Sequence, residues 1–130
     1  MQSKIRYLSD LKFNLETWKR ELRFHFNEMD TFQENLEEIA QHDDLDPIAN
    51  KKLENFQNRI MIEKDAIGKL RHRIRNKMVL LNRADLKENI DGRLGKEKRS
   101  LKEDMRTYIR MHYDLKEEMM DFFSQYLVEA

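Results

Sequence analysis

The sequence predicts an all-α protein, an elongated antiparallel three-helix bundle running up, down, up, and three observations point there. Charged residues fill 38% of the 130 positions while Gly numbers 3 and Pro 1, a composition suited to long helices with one side in water. Apolar residues recur at alternating steps of three and four, the stripe that a helix presents to its neighbours in coiled-coil-like packing. That stripe changes phase twice, so the chain turns twice. One domain over residues 1–130 is the expectation at this length.

The first helix is expected over about 3–41. Leu8, Leu11, Leu15, Trp18, Leu22, His25, Met29, Phe32, Leu36 and Ile39 form a heptad seam that neither Gly nor Pro interrupts. Asp46 and Pro47 then start the second helix, about 47–82. An aspartate before the first turn accepts backbone N–H bonds, and a proline at the first helical position gives up a donor that would be unpaired anyway. Its seam reads Leu53, Phe56, Ile60, Glu63, Ile67, Leu70, Ile74, Lys77 and Leu81. With two charges in nine places, it is either a wetter stripe or one rotated towards Ile62 and Met78. A third helix is expected over about 86–127, with Leu94, Leu101, Met105, Tyr108, His112, Leu115, Met119, Phe122 and Tyr126 in a new phase. The second turn is placed near Asn82 to Asp85, with a break at Gly92 as the alternative.

Composition also sets limits. The chain is 39% hydrophobic with zero net charge, enough apolar surface to offset the entropy of ordering. Without cysteine there is no disulfide, thiolate nucleophile or thiolate-bound metal. Lys4, Arg6, Asp10, Lys12, Glu16, Lys19 and Arg20 break up any apolar export segment, and the longest apolar cluster, Met78 to Leu81, falls far short of the ~20 residues that cross a bilayer. A cytoplasmic protein with no membrane span is expected.

Neutrality conceals segregation. Residues 1–25 carry six basic and three acidic side chains and residues 64–110 carry fifteen and seven, a net +11; residues 26–63 carry three and ten and residues 111–130 one and five, a net −11. Folded up, down, up, the rod has a basic end and an acidic end. Arg71, Arg73, Arg75, Lys77, Lys98, Arg99, Lys102 and Arg106 make up the basic end.

Some apolar residues lie off the seams. Phe13 and Phe24 are three turns apart on one side of the first helix, and Ile109, Tyr113, Met120 and Phe123 gather on one side of the third. They either widen the core or form a surface for a second copy or another helical protein. His25, Glu63 and His112 occupy seam positions, with Glu63 expected close to the level of His25 and His112 about one heptad further along, near Met29; together they make a buried polar layer that fixes helix register. His, Glu and His can bind a transition metal, but the Glu-x-x-His pairs of di-iron bundles are absent. No metal and no cofactor is expected.

No Gly-rich phosphate loop, nucleophile elbow or metalloprotease helix occurs, and a close-packed rod offers no concave pocket for chemistry. The expected function is therefore non-enzymatic: a helical interaction or scaffold protein that self-associates, as a homodimer, or binds a partner helix through Phe13, Phe24, Ile109, Tyr113, Met120 and Phe123. The alternative is an adaptor whose basic end meets nucleic acid or acidic lipid, although Glu97, Glu103 and Asp104 interrupt that end and the pI is near 6.9. A metal-binding bundle ranks third.

Overall fold

The computed structural model describes residues 2–83 and 93–127, with side chains described for residues 6–82 and 101–127. Three helices account for nearly all of them: α1 (Gln2–Ala40), α2 (Pro47–Arg83) and α3 (Arg93–Tyr126). All three pack on one another, a bundle without strands among the described residues.

α1 ends in a tightened turn, with Gln41 N–H donating to the Glu38 carbonyl (3.2 Å) and His42 N–H to that of Ile39 (3.0 Å). Such short-range bonds satisfy carbonyls that have no partner further along the helix. Asp46 then caps α2: its Oδ1 accepts from Ala49 N–H at 2.7 Å, and Pro47 is the first helical residue, as its fixed φ and missing donor favour. α2 continues through Asn82 to Arg83, one residue beyond the expected end. Residues 84–92 lie outside the described residues, and with them the expected 86–92 start of α3 and the alternative break at Gly92.

The second seam is not rotated. Leu53, Phe56, Ile60, Glu63, Ile67, Leu70, Ile74, Lys77 and Leu81 are all buried, whereas Ile62 is exposed. Buried side chains form two clusters. In the first, Leu11, Leu15 and Leu22 of α1 meet Ile67, Leu70, Ile74 and Leu81 of α2 and Leu101, Met105 and Tyr108 of α3. In the second, Met29, Phe32, Leu36 and Ile39 of α1 meet Leu53, Phe56 and Ile60 of α2 and Leu115, Met119, Phe122 and Phe123 of α3. Neither cluster includes His25, Glu63 or His112, which are buried at the level between them.

Two expected surface residues are interior. Phe123 is only 6% exposed and packs against Phe32, ring centroids 5.8 Å apart, because α3 buries both Phe122 and Phe123 where it meets the wide Phe32–Phe56 level. Lys77, assigned to the basic end, is 3% exposed; its seam position turns it inward, so it adds nothing to an exposed basic surface.

Candidate functional site

The polar layer grows out of three seam positions. The His25 ring of α1 lies on the His112 ring of α3 with centroids 3.8 Å apart and planes 9° from parallel. Both rings are buried. His112 faces carboxylates at both nitrogens: Nδ1 is 2.8 Å from Glu63 Oε1 and Nε2 is 3.0 Å from Glu28 Oε1. A neutral imidazole has a single N–H, so both contacts are hydrogen bonds when the ring or one carboxyl group holds an additional proton. Lys116 Nζ donates to Glu28 Oε2 at 2.5 Å. Glu63 Oε2 is buried without a hydrogen-bond partner.

His25 is held differently. Its Nε2 is 3.7 Å from Glu21 Oε1, and its Nδ1 is 2.8 Å from the Tyr108 hydroxyl, which donates to it in the neutral tautomer that carries the proton on Nε2. Burial, and then the adjoining His112, push His25 down to about 4, with Glu28 pulling the other way and Lys116 adding to the fall. Burial drives Tyr108 far above the usual tyrosine range, reinforced by Glu63, Glu21 and Glu28, so its hydroxyl keeps its proton. Burial also raises Glu28, but hydrogen bonds from Lys116 and His112 outweigh it and leave the carboxyl below its ordinary range.

All three residues expected in the layer are thus brought together, but His112 stacks directly on His25 and does not lie a heptad beyond it, and Glu63 bonds His112 and not His25. Glu28 and Lys116 complete it, and both had a sequence signal: Glu28 stands three residues after His25, and Lys116 four after His112, spacings that share a helix face. Among the described residues no group of three or more His, Asp or Glu side chains is arranged to hold a metal ion. The layer can fix helix register.

Beside it lies an apolar surface. Phe13 (65% exposed), Phe24 (61%), Tyr113 (51%) and Met120 (53%) project into solvent, and Ile109 is half-buried against the core. Phe24 and Tyr113 each meet the His25 ring edge-on, at 6.1 and 5.9 Å, so they flank the buried stack from its outer side. Successive residues turn ~100° about a helix axis. Phe13 therefore shares Phe24's side of α1, and Ile109 and Met120 share Tyr113's side of α3. These residues form a stripe along the α1–α3 side of the bundle.

The basic end is partly neutralised. Arg73 pairs with Asp104 across α2 and α3; Arg71 is half-buried, while Arg75, Lys102 and Arg106 are exposed. The side chains of Lys98 and Arg99 lie outside the described residues. No described helix is long and apolar enough to cross a membrane. Comparison with protein-family models, curated proteins and solved structures finds no match.

Proposed function

We propose that this protein is a non-enzymatic helical interaction protein, an up-down-up antiparallel rod with coiled-coil-like packing, that docks a second copy or another helical protein on its α1–α3 side. The order of contacts supports the topology. Early α1 residues share a cluster with late α2 and early α3 residues, and late α1 residues with early α2 and late α3 residues. Arg59–Glu118 at 2.6 Å, together with Arg73–Asp104, runs the same opposed order between α2 and α3. Burial at alternating steps of three and four supports coiled-coil-like packing.

The observation that carries the function is the exposed set of Phe13, Phe24, Tyr113 and Met120, which supplies three aromatic rings on the α1–α3 side. Ile48, Met61, Ile62, Val79, Leu80 and Met111 are exposed elsewhere, Ile62 and Met111 along a groove between α2 and α3, without an aromatic ring among them. Exposed apolar residues gathered along one side of a helix bundle mark an interface, and aromatic residues contribute most per residue at such surfaces. The site's chemistry favours no reaction: His25, His112 and Glu63 are buried, Glu28 and Lys116 are half-buried, and each meets another member of the layer.

Light scattering tests the proposal. The wild-type chain is expected at twice its 16.0 kDa mass, and Phe24→Asp or Tyr113→Asp at one chain, with helix content unchanged. A two-chain mass in both variants overturns the assignment of this side as the interface.

A further inference from the structure

We infer that the occupant of the α1–α3 side is a second copy of this chain, lying antiparallel, with a two-fold axis that passes beside Phe24 and Tyr113. The inference rests on the docking side proposed above and adds the partner, its orientation and its register.

The register follows from the contacts between α1 and α3. His25 is stacked on His112, Glu28 meets Lys116 and Phe32 meets Phe123, so the two helices advance together along the rod. On that scale Tyr113 lies level with about residue 26 of α1, and Met120 level with about residue 33. Phe13 is then about 16 Å from Phe24 towards one end, and Met120 about 10 Å from Tyr113 towards the other, at ~1.5 Å per residue. The level midway between Phe13 and Met120 is that of about residue 23 in α1, within a turn of both Phe24 and Tyr113.

A two-fold axis at that level exchanges the two halves of the stripe. Such an axis lays α1 over the partner's α1 and α3 over its α3, so Phe13 of one copy comes level with Met120 of the other, one helix across, Met120 likewise with Phe13, and the Phe24–Tyr113 pairs come together at the centre. This is the self-complementarity that an isologous interface requires. A parallel partner places Phe13 against Phe13 at one level and Met120 against Met120 at another, with the aromatic pairs between, and gains nothing from charge.

Charge chooses between the two orientations. Along this side, Arg6 and Arg20, each seven residues from Phe13, lie towards the same end as Lys102 and Arg106 of α3, whereas Glu34 and Glu38 of α1 lie towards the same end as Glu117 of α3. Antiparallel copies bring the basic half of each rod to the acidic half of the other, and parallel copies oppose like charges. Such complementarity fixes orientation and speeds encounter more than it adds affinity.

The absence of cysteine makes the test clean. Phe13→Cys and Met120→Cys proteins, each carrying its new thiol at an exposed position, are treated with a short bis-maleimide separately and as an equimolar mixture. Linkage between the two different variants, with little linkage in either alone, is the expected result. Linkage of each variant to itself overturns the antiparallel register. If Phe24→Asp still halves the mass, the docking side then stands without it. Two-chain mass with no linkage in any sample also overturns the register. A one-chain mass for the wild-type chain overturns the inferred partner.

Discussion

His25 reports on the buried layer through its proton. Its folded form is shifted down to about 4 from an ordinary 6.5 by burial and by His112, so between those values the unfolded chain binds the proton more readily than the folded one. Stability is then full above pH 6.5 and falls as the pH drops towards 4, by a few kcal/mol at most given the size of the shift. Glu28, held below its usual range, adds its own loss only at lower pH, below the ordinary carboxylate value. Urea unfolding at pH 7.5 and pH 5 checks this: the wild-type midpoint drops on acidification, and His25→Phe shrinks that drop. An equal drop in both proteins contradicts the assignment to His25. The sequence made His25, Glu63 and His112 legible because all three break apolar seams. It did not show which carboxylate meets which ring, since that depends on the rotation of three helices about their axes.

At the scale of the helix, periodicity located the buried faces of α1 and α2 well. Each seam position described in α2 is buried, even Glu63 and Lys77. α3 was harder to read, because Phe122 and Phe123 are adjacent and a strict heptad assigns only one of them to the interior. The core is wide there, opposite Phe32 and Phe56, and it takes both rings. Phe123→Ala is therefore expected to lower stability by about 3–5 kcal/mol, the range for deleting a buried aromatic side chain. Chemical denaturation at a fixed protein concentration measures it, and a loss under 1 kcal/mol would place Phe123 at the surface after all. The α1–α2 turn was legible because Asp46 and Pro47 act locally, through a cap and a fixed φ, whereas no comparable pair of residues marks the end of α2.

For the molecule as a whole, the segregation of +11 and −11 along the chain acquires meaning only once the helices are stacked. Contacts bring Tyr7 to Leu22 to the same level as Ile67 to Leu81 of α2 and Leu101 to Tyr108 of α3, so the described basic residues of these stretches share one end. Pairing such rods side by side in opposite directions covers the aromatic stripe and opposes unlike ends at once. What the sequence left open was which apolar residues remain outside: it grouped six, and burial removes Phe123 and half-buries Ile109.

Small-angle X-ray scattering on freshly eluted protein tests that claim most directly, because it reads mass and length together. Side-by-side pairing about a mid-rod axis predicts a particle of twice 16.0 kDa whose length stays near that of one rod, about 58 Å for the 39 residues of α1 at ~1.5 Å each, with a thicker cross-section. A single-chain mass, or a two-chain particle of nearly double that length, would contradict it.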